Sequence, residues 1–135
     1  MGYQVHITRK QSWFDETGSE ITMKEWKDFV KSDPELRLDN FIEWSNEDGK
    51  ILKREIDGLT VWTAYSKNRD GGNQAWIDWN EGNVTVKNPD NEFLLKMCAM
   101  AKHLNARVQG DDGEFYTEKM LRQQMANRKK WWHLW

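Results

Sequence analysis

The chain has 135 residues, 38% hydrophobic and 31% charged, with a net charge of −2, nine tryptophans and one cysteine. These values exclude a fully disordered chain, an intramolecular disulfide and a membrane-spanning helix, which needs about 20 consecutive apolar residues. The N-terminal segment also lacks the layout of a secretory signal, so we expect a single-domain cytoplasmic protein.

Hydrophobic periodicity in the first half of the chain predicts a strand, a helix and then a group of strands. Apolar and polar residues alternate over residues 3–8, which predicts a half-buried strand. Thr22 and Glu25 have the spacing of a capping box, so we expect a helix over about residues 23–32. Two or three antiparallel strands are expected within residues 41–66, because Asp-Gly turn signals interrupt the apolar runs there.

The second half of the chain predicts a hairpin, a helix, a short strand and a weaker helix. Residues 75–79 and 83–87 alternate in the manner of strands and flank a Glu-Gly turn. An apolar stripe predicts a helix over residues 93–104, a strand is expected at 106–109, and a third helix at about 117–127. This order of elements predicts an α+β fold, with a single antiparallel sheet of about five to six strands and two to three helices packed mainly on one face.

The chain is expected to form a single α+β domain over residues 1–127, followed by a basic tryptophan-rich tail over residues 128–135. The first 118 residues carry all 22 acidic side chains against 15 basic ones, so the body is acidic. This charge argues against nucleic-acid binding by the body and suits a basic protein partner. Acidic residues spread over the surface for solubility would give the same composition.

The tail admits three interpretations. Its basic and large aromatic residues are Arg128, Lys129, Lys130, Trp131, Trp132 and Trp135. Tryptophan beside lysine and arginine suits contact with an anionic membrane, and the same residue types stack on nucleic-acid bases while contacting phosphates. The third interpretation is that the tail docks on an apolar edge of its own domain or of a second subunit.

The sequence contains no signature of nucleophilic or metal-dependent catalysis. Cys98 lies within the apolar stripe of the second predicted helix, which indicates a structural residue. The three histidines, His6, His103 and His133, are isolated and form no pair with the spacing of metal ligands. We therefore expect no catalytic residue, no metal and no cofactor.

Asp111, Asp112 and Glu114 form the densest carboxylate group, in a turn flanked by glycines that we call the acidic turn. The simplest interpretation is a polar hairpin turn without a further function. Such carboxylates also serve metal-dependent enzymes when other ligands converge on them, and His6 or His103 would be the nearby ligand. A third interpretation is an exposed acidic knob that an arginine or lysine of a protein partner recognises.

Trp62 and Trp76 fall on the strand faces that the predicted core does not use. Tryptophan is enriched at the buried centre of protein interfaces, where its large ring contributes much of the binding energy. Together with the acidic turn, these two residues form the predicted partner-binding site.

Three motifs carry a resemblance to a known family. They are Tyr-x-x-x-Ile-Thr-Arg at residues 3–9, Val-Lys-Asn-Pro-Asp at 86–90 and Ala-Arg-Val-Gln-Gly-Asp-Asp-Gly-Glu at 106–114. On these residues the chain resembles a family of small, uncharacterised proteobacterial cytoplasmic proteins whose members often end in a similar tail. Proteins that are small, acidic and rich in tryptophan are in turn similar to the immunity proteins of antibacterial toxins, a similarity of class and not of motif.

The resemblance and the charge pattern together imply a non-enzymatic protein-binding protein. The specific expectation is an immunity protein that neutralises a cognate bacterial toxin by occluding a basic toxin domain. One alternative is a small metal-dependent enzyme that uses Asp111, Asp112 and Glu114. Another is an adaptor that contacts a membrane or nucleic acid through residues 128–135.

Overall fold

The computed structural model describes the backbone of residues 2–68 and 75–133, and the side chains within those ranges up to Arg128. These residues form three helices: α1 (Met23–Ser32), α2 (Asn91–His103) and α3 (Glu118–His133). They also form nine strands: β1 (Gln4–Thr8), β2 (Leu36–Leu38), β3 (Phe41–Ser45), β4 (Ile51–Glu55), β5 (Thr60–Trp62), β6 (Trp76–Asn80), β7 (Asn83–Lys87), β8 (Arg107–Gly110) and β9 (Phe115–Tyr116).

The predicted α+β fold with one main antiparallel sheet is confirmed. Seven strands follow the order β2-β5-β6-β7-β1-β8-β9, and β3 and β4 form a two-stranded sheet of their own. Five to six strands were expected from the sequence. The additional strands include β2 and β9, which have only three and two residues and are too short to show an alternating pattern.

The chain divides into two compact units. The terminal unit comprises residues 1–20 and 86–135, and the middle unit comprises residues 21–85. The single domain predicted over residues 1–127 therefore contains two units, and the first of them joins segments from both ends of the chain.

Strand β1 is central to the terminal unit and pairs antiparallel with β8, Val5 opposite Gly110 and Thr8 opposite Arg107. The prediction of a half-buried strand is wrong, because every residue from Val5 to Thr8 is buried. The polar face of β1, which includes His6, is also buried, and His6 lies against the Trp13 ring and the Asp111 carboxylate of the same unit. The alternating pattern therefore reflects two different protein environments, one apolar and one polar.

Helices α2 and α3 complete the terminal unit. The Asp90 side chain caps α2 by accepting from the N–H of Phe93 (2.9 Å), and the predicted apolar stripe of this helix is buried as expected. The Thr117 hydroxyl accepts from the N–H of Met120 (3.2 Å) at the start of α3. Leu121 is buried, whereas the side chains of residues 122–128 are all exposed. Helix α3 also continues to His133, beyond the predicted end near residue 127.

In the middle unit, α1 begins and ends where the sequence predicts. The Thr22 hydroxyl accepts from the N–H of Glu25 (3.1 Å), and the Glu25 carboxylate accepts from the N–H of Thr22 (3.3 Å). This capping box satisfies two backbone donors that a helix N-terminus otherwise leaves unpaired.

Trp26 of α1 is the largest fully buried side chain among the described residues, with 0% of its surface exposed. Its indole N–H donates to the carbonyl of Gly58 (2.8 Å). Gly58 has a φ of +85°, and a Cβ there would lie 2.7 Å from the sulfur of Met23. The positive φ therefore favours glycine at this turn, and any larger residue would also displace the Met23 side chain.

Strands β6 and β7 form the predicted hairpin, with Trp79 opposite Val84 and Asn80 opposite Asn83. The two loop residues, Glu81 and Gly82, have φ values of 51° and 82°. Two consecutive residues with positive φ are typical of a type I′ turn, whose twist matches that of the paired strands.

Asp78 of β6 is a partly buried carboxylate with one oxygen, Oδ1, that has no hydrogen-bond partner. Burial raises the pKa of Asp78 above its usual 3.8, against the opposing effects of the Trp79 N–H and the Arg54 charge. We expect Asp78→Asn to be more stable than the native chain at pH 7 by about 1 kcal/mol, because the charge no longer has to be buried.

The pH dependence of this difference identifies its cause. A carboxyl whose pKa is raised by folding does not lower the free energy of unfolding at low pH, because it is protonated in both the folded and the unfolded state. It lowers the free energy of unfolding progressively as the pH rises through the folded pKa. The advantage of Asp78→Asn, measured by urea unfolding, should therefore vanish near about pH 3. Asp48→Asn, at an exposed carboxylate, is the control. If Asp78→Asn were more stable than the native chain by the same amount at low pH, the buried charge of Asp78 would not be the cause of the difference.

Candidate protein-interaction site

The acidic turn joins β8 to β9 and is fixed to strand β1 through Asp111. One oxygen of the Asp111 carboxylate accepts from the N–H of Gln4 (2.8 Å), and the other lies 2.9 Å from Nε2 of His6. The N–H of Asp111 donates in return to the carbonyl of Gln4 (3.0 Å). Three hydrogen bonds therefore extend the β1–β8 pairing into the turn and hold it in one position.

Glu114 closes the other side of the turn by accepting from two tyrosine hydroxyls. One oxygen of its carboxylate accepts from Tyr3 and also from Tyr116 (3.0 Å). Desolvation of this exposed carboxylate favours the neutral acid, but the hydrogen bonds, that from Tyr3 foremost, outweigh it and lower the pKa of Glu114. Glu114 is therefore held as a carboxylate. A Cβ at Gly110 would overlap this carboxylate and the Tyr3 hydroxyl, so a larger residue there would displace the pair.

Asp112, at the outer end of the turn, has an exposed side chain. Its backbone N–H donates to the Tyr3 hydroxyl (3.3 Å), which positions the residue without engaging its carboxylate. Of the three predicted carboxylates, Asp111 and Glu114 thus hold the turn in shape, while Asp112 presents its charge to the solvent.

Trp13 packs against the acidic turn from the loop that follows β1. Its ring stacks on His6 with centroids 4.1 Å apart, and its indole N–H donates to the carbonyl of Asp111 (3.3 Å). The backbone N–H of Trp13 donates to the side-chain oxygen of Gln109 (2.8 Å). The side-chain amide nitrogen of Gln109 in turn donates to the carbonyl of Gly113 (3.1 Å). The loop and the turn are therefore joined by partly buried hydrogen bonds.

Phe14 lies beside this cluster and is 64% exposed. Its ring packs edge-on against Trp13, with centroids 5.6 Å apart, and contributes little to the core. Sequence reasoning missed this residue. The available signal was a pair of adjacent aromatic residues within a polar stretch that shows neither helical nor strand periodicity. We call Trp13, Phe14, Asp111, Asp112 and Glu114 together the acidic aromatic site.

The alternative of a metal-dependent enzyme receives partial geometric support only. The structure does bring His6 and Asp111 together, as that alternative requires. However, His6 is buried beneath Trp13, and within residues 2–68 and 75–133 no group of three or more His, Cys, Asp or Glu residues could hold a metal ion. Cys98 is buried in α2, where burial raises the pKa of its thiol and disfavours the nucleophilic thiolate.

The structure does not combine Trp62 and Trp76 into one surface. Trp76 pairs with Val61 across β5 and β6, so it shares a face with Val61, whereas Trp62 lies on the other face opposite Leu36. Trp62 is only 6% exposed, and its indole N–H donates to Glu35 (3.2 Å). Trp62 is therefore part of the core of the middle unit, and its predicted contact with a partner stays a prediction. Trp76, 37% exposed, remains accessible.

Hairpin β3–β4 is a second exposed apolar feature, in the middle unit. Trp44 pairs with Leu52 and Ser45 with Ile51, so Trp44 and Ile51 lie on opposite faces near the tip. Both are exposed, Ile51 at 70%. The Asn46 side chain accepts from two backbone N–H groups of the turn, which makes the tip well defined.

The basic tryptophan-rich tail predicted over residues 128–135 begins inside helix α3. Arg128 is exposed, and the helical backbone continues to His133. The side chains of Lys129, Lys130, Trp131, Trp132 and Trp135 lie outside the described residues, so the three interpretations of the tail stay predictions.

Comparison with protein-family models, with curated proteins and with solved structures finds no match for the chain. In the part of the chain that the structure describes, no helix is both long enough and apolar enough to cross a membrane. Function is therefore inferred from the geometry of the chain itself.

Proposed function

We propose that this chain is a non-enzymatic binding protein that holds a basic region of a protein partner against the acidic aromatic site. Its specific form is an immunity protein that neutralises a cognate bacterial toxin in the cytoplasm by covering a basic active-site region. The observation that carries the proposal is the exposed ring of Phe14, packed on Trp13, which is itself bonded to a turn whose Asp111 and Glu114 carboxylates are held by hydrogen bonds.

Preorganisation supports this proposal. A partner that binds a flexible acidic loop has to offset the entropy lost when the loop becomes ordered. Here the backbone N–H groups of Asp111 and Asp112 donate to Gln4 and Tyr3, and the neighbouring loop is fixed by Trp13. Little ordering would remain to be done when a partner binds, which favours a slow dissociation rate.

The chemistry of the exposed groups supports a basic partner. Asp112 offers a solvent-exposed carboxylate, and an exposed aromatic ring such as Phe14 can receive the side chain of an arginine or lysine on its face. The acidic character of the first 118 residues would accelerate the encounter with a basic protein by electrostatic steering. Affinity would then come from burial of Phe14.

The test compares the native chain with the double variant Phe14→Ala/Asp112→Lys, each immobilised and exposed to an extract of the native bacterium. We expect the native chain to retain one basic protein that mass spectrometry identifies. Titration calorimetry with that purified protein should give one-to-one binding, weakened about 100-fold in the double variant because an aromatic anchor is lost and a charge reversed.

The matched control is Trp44→Ala/Asp48→Lys, which removes an exposed aromatic ring and reverses an exposed charge on hairpin β3–β4. This variant should bind as the native chain does. The captured protein should arrest bacterial growth when produced alone, and the native chain, but not Phe14→Ala/Asp112→Lys, should restore growth. Equal loss of binding in both double variants would contradict the proposed site, and a captured protein without toxicity would contradict the immunity function.

A further inference from the structure

A cavity of about 350 Å³ opens at the surface of the terminal unit, between the end of α2, strands β8 and β9 and the start of α3. Cys98, Ala101 and Val108 are buried and form its apolar base. Phe115, a large aromatic residue that is left exposed, lines it as well. The space exists because two of the lining residues on α2 and before β8, Ala101 and Ala106, have small side chains.

Charged side chains with an excess of positive charge surround this cavity. Lys102 and Arg107 both line it, and the Arg107 guanidinium lies over the Phe115 ring, 4.6 Å from the centroid. Glu118 is the only acidic residue of the described lining. Its carboxylate is bonded to Arg122 (2.9 Å) and lies 3.7 Å from Lys102, so it is shared between two cations.

We propose that this cavity binds a small apolar molecule that carries one carboxylate. Its volume falls at the lower end of the range of small-molecule sites, and its lining has their usual character, mostly apolar with a few charged groups. The hydrocarbon part of the ligand would lie on Ala101, Val108 and Phe115, where ordered water gains few hydrogen bonds and is readily displaced. The carboxylate would lie at Lys102, whose ammonium group is mostly exposed and only loosely paired.

This inference is independent of the acidic aromatic site, and its test uses decanoate as the probe and the full-length chain. Titration calorimetry should show one-to-one binding of decanoate. In spectra of the chain labelled at alanine and valine methyl groups, the signals of Ala101, Ala106 and Val108 should shift. Those of Val61 and Val84, in the middle unit, should not.

Three comparisons test whether the ligand's carboxylate lies at Lys102 and whether its hydrocarbon part lies in the cavity. Decylammonium has the same hydrocarbon chain as decanoate and the opposite charge, and it should bind the native protein at least about fivefold more weakly than decanoate does. Decanoate should bind Lys102→Gln at least about fivefold more weakly than it binds the native protein. Lys119→Gln, on an exposed lysine outside the lining, is the matched control and should leave binding unchanged. Ala106→Leu, which fills the cavity from a half-buried position, should abolish binding.

The proposal is overturned if decanoate binds Ala106→Leu as tightly as it binds the native chain, or if the shifted methyl signals belong to the middle unit. Equal affinity for decanoate and decylammonium would overturn the assignment of a carboxylate ligand. Lys102→Gln changes an exposed side chain and leaves the fold intact. It therefore still tests the carboxylate contact even if Ala106→Leu folds poorly.

Discussion

Replacing Trp26 with alanine should lower the free energy of unfolding by about 3–5 kcal/mol, which is a large part of the total stability of a small protein. The indole is fully buried, so its removal leaves a cavity in the middle unit. It also leaves the Gly58 carbonyl without its donor, at a turn whose positive φ favours glycine. Urea unfolding followed by circular dichroism measures this loss without relying on tryptophan fluorescence.

Trp76→Ala is the matched control for this substitution, because it removes the same side chain from a position that is more than one-third exposed. Its cost should be about 1 kcal/mol or less. If the two variants lost similar stability, Trp26 would not be the centre of the core that its burial indicates.

Asp111→Ala should destabilise the chain by about 2–4 kcal/mol, because it leaves two donors, the N–H of Gln4 and the ring of His6, without an acceptor. The effect should be concentrated at the acidic turn. Hydrogen exchange of the Gln4 amide, followed by NMR, should accelerate along with the drop in unfolding free energy.

The neighbouring substitution Asp112→Ala is the control, since this side chain is exposed and its backbone N–H is retained. It should change stability by no more than about 0.5 kcal/mol. Similar losses from Asp111→Ala and Asp112→Ala would contradict the division between a residue that holds the turn and one that faces solvent.

Local patterns predicted the elements whose stabilising contacts are local. Helix α1 was predicted at its observed limits because Thr22 and Glu25, which start it, lie three residues apart. The β6–β7 hairpin was predicted because its two-residue turn and both strands lie within twelve residues. In both, the residues that decide the structure are neighbours in sequence.

Contacts between distant segments explain what the sequence did not predict. The partners of the acidic turn, Tyr3 and His6, lie more than 100 residues before it, and no local pattern links them. Phe14 is exposed because its neighbour Trp13 packs on His6, a contact that follows only from the fold.

The positions of the two strand tryptophans depended on register. Pairing of Val61 with Trp76 places Trp62 and Trp76 on opposite faces, and a shift of one residue would have placed them together. The sequence in this region contains apolar residues on both faces of β5, so it does not distinguish the two registers. The predicted carboxylates, by contrast, were correctly grouped because they belong to a single turn.

The pairing of β1 with β8 also determines the order in which the chain can fold on the ribosome. In the sheet β1 lies between β7 and β8, so its two neighbours are synthesised about 80 and about 100 residues after it. At usual rates of translation this delay lasts about 5–20 s. Until β7 is synthesised the nascent chain carries β1 as an unpaired apolar strand, so β1 stays exposed to aggregation well after its own synthesis and is a natural substrate for chaperones.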